Sequence, residues 1–100
     1  MPINAQKTAI VTGAARGIGL ATSKLFLEIG WSVAMVDRDA EELRTASAEL
    51  DGVIALPLDI ASPENALAMV TDTVSTFGRI DALVNNAGAS SFPAILRSDP

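Results

Sequence analysis

The sequence predicts an α/β protein built on a doubly wound parallel sheet, and three observations carry that prediction. Short runs rich in Val, Ile and Ala alternate with helical patterns along most of its 100 residues. The connections are only a few residues long, so each strand is expected to reach the next through a helical, right-handed crossover. A glycine-rich turn, Thr12-Gly13-Ala14-Ala15-Arg16-Gly17-Ile18-Gly19, joins the first strand to the first helix. With 49% hydrophobic and 19% charged residues the chain is globular rather than disordered. Its length suits one core, and residues 1–100 are read as a single domain.

Ala9 to Val11 reads as the first strand, apolar on both faces as a buried parallel strand is. Ile18, Ala21, Thr22, Leu25, Phe26 and Ile29 recur at helical spacing and mark the face the first helix is expected to bury. Gly30 is its left-handed terminator. Trp31 to Val36 is the second strand and ends at Asp37. Asp39 and Glu42 form a capping pair for a second helix that runs to about Leu50, with Leu43, Ala46 and Leu50 inward and Glu41, Arg44 and Glu49 outward. Val53 to Leu58 is the third strand, its end marked by Pro57. Ser62 caps the third helix and Pro63 opens it. Ala66, Met69, Val70, Thr73 and Phe77 are its expected buried stripe, and Gly78 closes it. Arg79 to Val84 is the fourth strand, leading into Asn85-Asn86-Ala87-Gly88. The order is β-α-β-α-β-α-β. From Ala89 to Pro100 the pattern is weak, with Ser98-Asp99-Pro100 resembling the start of a helix.

Composition removes several classes of function. The net charge is −5, from 12 acidic and 7 basic residues, and the basic residues are scattered, whereas a nucleic-acid binder needs a concentrated basic footprint. There is no cysteine and no histidine, which excludes disulfides and thiolate metal sites and removes the commonest general base and metal ligand. Ser90 and Ser91 therefore have no evident base to activate them, and no metal site is expected. The N-terminus has no charged-then-apolar leader pattern, and no apolar run of about 18 residues spans a membrane. The expectation is a soluble cytoplasmic protein.

The glycine turn carries the chemistry. Strand, glycine loop and helix together place bare backbone N–H groups and a helix N-terminus where a phosphate can sit. Gly13 lets the chain leave the strand through a tight turn. Gly17 and Gly19 remove Cβ atoms that would keep a pyrophosphate from the backbone, or the helix from the sheet. The spacing is G-x-x-x-G-x-G, and no Gly-Lys-Ser/Thr follows, so it is not a P-loop. Asp37 follows Gly19 by 18 positions, against the roughly 20 expected of an acid that accepts hydrogen bonds from an adenosine ribose. Because Asp39 and Glu42 already cap the next helix, the Asp37 carboxylate is expected to be free for that role. A carboxylate there repels a 2′-phosphate and favours NAD over NADP, whereas Arg16 and Arg38 pull the other way. Asp59 is a candidate for the adenine edge, with a turn-forming role as the alternative. The two amides of Asn85 and Asn86 either tie neighbouring strands together or face the ligand.

Taken together, the glycine loop, Asp37, Asp59-Ile60 and Asn85-Asn86-Ala87-Gly88 resemble the short-chain dehydrogenase/reductase family across essentially the whole chain. The resemblance implies a Rossmann-type fold and hydride transfer between a nicotinamide cofactor and a small carbonyl or alcohol substrate. It implies a homo-oligomer, commonly a tetramer and otherwise a dimer. It gives the pyrophosphate to Gly13, Arg16, Gly17, Ile18 and Gly19, and it gives NAD selection to Asp37. Adenine contact falls to Asp59, with Ile60 beside it also placed at the cofactor, and support of the sheet beside the cofactor to Asn86, Ala87 and Gly88. The family's catalytic serine and Tyr-x-x-x-Lys pair have no counterpart, since the chain contains no tyrosine. No catalytic residue is assigned here. The expectation is the N-terminal part of a longer one-domain enzyme, because an apolar fourth strand left as an open edge is an aggregation hazard. The alternative is a non-catalytic dinucleotide-binding or interaction module of 100 residues.

Overall fold

A computed structural model describes residues 6–87 and 94–97. Strand β1, Thr8–Thr12, is buried along its whole length, as is β2, Ser32–Val36, beside it. They lie in a five-stranded sheet of order β3-β2-β1-β4-β5, where β3 is Val53–Leu56, β4 Ala82–Asn85 and β5 Ala94–Arg97. β1 through β4 pair in parallel, with Ile10 opposite Ala34 on one side and Leu83 on the other. β5 pairs with β4 antiparallel. The four parallel strands are those expected from the sequence, and β5, in the stretch of weak pattern after the Asn-Asn turn, adds an antiparallel strand beside β4 that the sequence reading did not include.

Alternation along the strands divides the core between the two faces of the sheet. Val11, Val33, Met35 and Val84 pack with Leu43, Phe26 and Leu27 on one face. These last three belong to helices α1, Gly17–Glu28, and α2, Ala40–Ser47. Ile10, Ala34 and Val36 pack with Met69 of helix α3, Pro63–Phe77, on the other. Helices therefore cover both faces, as in a Rossmann fold. The strand order reverses between β1 and β4: the chain first winds outward through β2 and β3, then returns to the far side of β1. Such a reversal opens a crevice at the C-terminal ends of the strands.

Local signals set the helix ends. The Asp39 side chain accepts the Glu42 N–H at the start of α2, and the Ser62 side chain accepts the Asn65 N–H at the start of α3. Gly78 takes a left-handed conformation, with φ 88°, directly after α3. Helix α2 stops at Ser47, short of the expected Leu50, although Leu50 still packs against the core.

Several expectations need correction. In α1, Ile18, Leu25 and Ile29 are 60%, 62% and 64% exposed. The face turned to the sheet is instead Gly19 and Ser23, with Leu20, Phe26 and Leu27 half-buried. The cause is close approach: a Cβ on Gly19 would lie 2.0 Å from the Gly13 carbonyl oxygen. Contact with the loop, not apolarity, therefore sets the rotation of the helix about its axis. In α3, Met69 and Thr73 are buried but Val70 is exposed, together with Leu67 and Val74. Trp31 precedes β2 and packs on Phe26, with ring centroids 4.8 Å apart. β3 ends at Leu56, before Pro57.

The fourth strand begins at Ala82 rather than Arg79. Arg79 donates from Nε and Nη2 to the two oxygens of the Asp81 carboxylate at 2.8 and 2.6 Å, and Asp81 Oδ2 accepts the Thr8 N–H at 2.9 Å. The hydrogen-bonded Arg79 guanidinium and the Thr8 N–H hold the Asp81 carboxyl below the usual carboxylate range against the opposing effect of burial. Gly88, Ser90, Ser91 and Ser98-Asp99-Pro100 lie outside the described residues. Among the described residues no helix is long and apolar enough to cross a membrane.

Candidate functional site

The C-terminal ends of β1 to β4 open into a cleft of about 900 Å³. Gly13, Arg16, Gly17 and Ile18 line it from the loop, and Asp37, Arg38 and Asp39 from the end of β2. Asp59 and Ile60 contribute from beyond β3, and Asn86 and Ala87 from beyond β4. Nine of the sequence-derived site residues thus face one crevice at the reversal point of the strand order. Gly19 is buried behind it, and Gly88 lies outside the described residues.

The three glycines differ in physical role. Gly13 has φ 64°, and a Cβ there would press on Asn86 Nδ2 at 3.1 Å and the Ala87 nitrogen at 3.2 Å. Gly17 has φ 59° with nothing within 4 Å of a Cβ, so it is needed for its left-handed backbone and for open space in front of the helix. Gly19 serves packing inside the protein. The alternative in which its Cβ would obstruct a ligand gives way to one in which it would strike Gly13.

The N-terminus of α1 is left unanswered by the chain itself. Its N-cap residue, Arg16, makes no side-chain capping bond, and the first turn carries no acid. Helices α2 and α3 have both a side-chain cap and acids in the first turn. A bare helix N-terminus presents unpaired N–H groups and a partial positive charge, the two elements that attract an anion.

Asp37 is not free in the sense expected from the sequence. Its Oδ2 accepts the Ala15 N–H at 3.0 Å and its Oδ1 the Asp39 N–H at 3.0 Å. The end of β2 runs beside the glycine loop, so the carboxylate satisfies a loop N–H that has left the strand ladder. Each oxygen retains acceptor capacity toward the cleft. Asp59 makes the turn considered as its alternative role, with Oδ1 accepting the Ala61 N–H at 3.0 Å, and it also lines the cleft. Arg16 reaches away from the loop: Nη2 lies 2.7 Å from Asp39 Oδ2 and also pairs with Glu42. Arg38 is exposed on the cleft wall.

Sequence reasoning missed Thr12 as the fastener of this region. Its buried Oγ1 accepts the N–H groups of Asn86 at 2.8 Å and Ala87 at 3.0 Å, and it lies 3.1 Å from Asn85 Oδ1. Asn86 Nδ2 reaches the Gly13 carbonyl at 3.5 Å. One hydroxyl at the end of β1 therefore sets the course of the chain beyond β4. A threonine directly before the first loop glycine was the available signal, but its partners lie more than 70 residues away.

Comparison with known proteins agrees with this architecture. The model of the family described as short chain dehydrogenase matches residues 7–99. The chain belongs to the short-chain dehydrogenase family. The L-fucose dehydrogenase of Oryctolagus cuniculus is 41% identical over 85 residues, covering 85% of this chain and 30% of that protein. The 3beta-hydroxysteroid dehydrogenase 2 of Eggerthella lenta is 37% identical over 91 residues, covering 87% of this chain and 35% of its own. Among solved structures, the 3-ketoacyl-(acyl-carrier-protein) reductase of Brucella melitensis, complexed with NADH, superposes with a TM-score of 0.75 at 35% identity, over 78% of this chain and 32% of that one. The chain thus spans about a third of the length of these relatives.

Proposed function

We propose that these residues form the cofactor-binding portion of a nicotinamide-dependent oxidoreductase that prefers NAD and acts on a carbonyl or alcohol. The observation that carries this reading is the bare N-terminus of α1, set behind an open glycine loop and facing a cleft flanked by Asp37. A dinucleotide fits that arrangement: its pyrophosphate suits the uncapped helix start, and its ribose hydroxyls suit the unused acceptor capacity of Asp37. Family membership and the NADH-bound relative support the same assignment.

In this reading, Gly13, Arg16, Gly17 and Ile18 form the pyrophosphate cradle and Gly19 keeps that cradle tight against the helix. Asp37 holds the adenosine ribose, Asp59 and Ile60 flank the adenine, and Asn86 and Ala87, with Gly88 after them, bound the nicotinamide side. The nicotinamide supplies the hydride donor or acceptor. The residues here bind, orient and restrict water, while proton transfer to the substrate requires a group that a chain without tyrosine does not contain in the family's usual form. Assembly into a homo-oligomer and a cytoplasmic location belong to the same reading. Sedimentation and fractionation of the intact gene product test them.

Titration of the intact gene product with NADH and NADPH tests the assignment. Asp37→Ala is expected to weaken NADH roughly ten- to a hundredfold, the loss of hydrogen bonds to a charged acceptor, and to narrow the preference over NADPH. Asp37→Asn, which retains an acceptor for the Ala15 N–H, separates that effect from damage to the loop. Unchanged affinities for both cofactors in Asp37→Ala would rule out the ribose role.

A further inference from the structure

We propose that Asp39 and Glu42 are specificity-determining residues that act through Arg16, holding its guanidinium away from the position a 2′-phosphate would take. The inference rests on the dinucleotide reading above and names a device within that site. Arg16 is the N-cap residue of α1, in the glycine loop, yet its side chain crosses to the start of α2, where Nη2 meets Asp39 Oδ2 at 2.7 Å and also Glu42 Oε1. Asp39 is well suited to this task because its carboxylate is already oriented: Oδ1 caps α2 by accepting the Glu42 N–H at 3.1 Å, which leaves Oδ2 for Arg16. Glu42 sits in the first turn of the same helix, so the cap and the ion pairs share one geometry.

The placement matters because Arg16, Asp37, Arg38 and Asp39 line the same cleft. If Asp37 is the ribose acceptor, the neighbouring groups on this wall are the ones a 2′-substituent would meet. A 2′-hydroxyl needs only an acceptor there, whereas a 2′-phosphate brings a dianion against Asp37, Asp39 and Glu42 and needs a cation to offset them. Arg16 has the planar, multidentate donor set suited to phosphate, but two carboxylates already occupy it. Asp37 therefore repels the phosphate directly, and the pair on α2 withholds the arginine that would accept it. All three side chains of the network are substantially exposed, at 61%, 43% and 44%. Exposed pairs are weak and screened by salt, so the network biases the preference rather than fixing it. Arg38 makes no ion pair among the described residues and is equally available with or without the network.

The test compares NADH and NADPH affinities by fluorescence titration at low salt in the intact gene product and three variants. These are Asp39→Asn/Glu42→Gln, Arg16→Ala, and the combination of all three substitutions. Asn at position 39 keeps the capping acceptor, and thermal melting verifies that each variant is folded. The double variant is expected to bind NADPH roughly fivefold more tightly with NADH changed by less than about twofold, and the gain should vanish when Arg16 is absent. Unchanged NADPH affinity in a folded double variant overturns the proposal. So does an equal gain in the Arg16→Ala background, which would mean that simple removal of charge is responsible. A wild-type protein that binds neither cofactor overturns the dinucleotide reading and this proposal with it, whereas NADH binding without the Arg16-dependent gain overturns only the latter.

Discussion

At the N-terminal edge of the sheet, the Thr8 N–H meets the Asp81 carboxylate, and Arg79 grips that carboxylate from behind. At the C-terminal edge, β1 runs into a loop with two left-handed glycines and a helix whose N-terminus has neither a cap nor an acid. At the first edge the protein's own side chains answer the Thr8 N–H and the Asp81 carboxylate, although the buried Thr8 Oγ1 has no hydrogen-bond partner among the described residues. The second leaves donors facing a cleft, while α2 and α3 show that the same chain caps helices where nothing else is needed. The contrast separates polar groups that hold the fold together from polar groups kept for a ligand. Mutations at the two edges should accordingly have different consequences.

The largest expected effect is at Gly19. Replacement by Val drives a side chain into the Gly13 carbonyl, since even a Cβ lies only 2.0 Å from it. Overpacking of this kind costs about 3 kcal/mol, measurable by urea denaturation. Because the loop must move, NADH affinity should fall with stability, which makes Gly19 the point where the two edges' rules meet. A folded Gly19→Val protein with wild-type stability and affinity would remove the packing role.

Asp81→Ala tests the closed edge. It leaves the Thr8 N–H, in a fully buried residue, without its acceptor, at a cost of about 2 kcal/mol, and NADH affinity should stay unchanged. The same residue predicts a pH dependence. The Asp81 carboxyl is lowered in the folded protein, so its contribution is fully present above the unfolded carboxylate value of about 3.9 and is lost as pH falls through the lower folded value. Acid denaturation of the wild type should therefore show a loss of stability below about pH 4 that is reduced in Asp81→Ala. Equal acid slopes in the two proteins would show that Asp81 does not carry it.

The smallest effect sharpens the comparison most. Ile18→Asp places at the start of α1 the acid that α2 and α3 already have, at an exposed position on the cleft. An acid in the first turn favours the helix dipole by roughly 0.5 kcal/mol, so the melting temperature should rise slightly while NADH affinity falls. Stability and affinity moving in the same direction would mean that the bare helix start is not reserved for an anion.

Part of this molecule was legible from the sequence because the interactions are local. Asp39 with Glu42, Ser62 with Pro63, and Gly78 form their turns and caps within a few residues, so residue type and spacing suffice to place them. The glycine loop and Asp37 were legible in the same way, one by its backbone demands and the other by its position after a strand. The buried face of α1 was not. Apolar spacing pointed to Ile18, Leu25 and Ile29, whereas the helix is turned by contact between Gly19 and Gly13, and that contact is invisible to a count of hydrophobic side chains.

What the sequence determined by itself was the alternation of strands and helices, where most of them begin and end, and the glycine loop that joins the first pair. Tertiary structure alone decided the strand order, the antiparallel return of β5 along β4, and the bonds from Thr12 Oγ1 to the backbone of Asn86 and Ala87. It also decided that Arg16 would be engaged by Asp39 and Glu42 and that Asp37 would serve the Ala15 N–H. The physical reason is distance along the chain. Caps and turns are settled by neighbours, but a hydroxyl at the end of β1 acquires its partners only when the sheet brings together segments more than 70 residues apart.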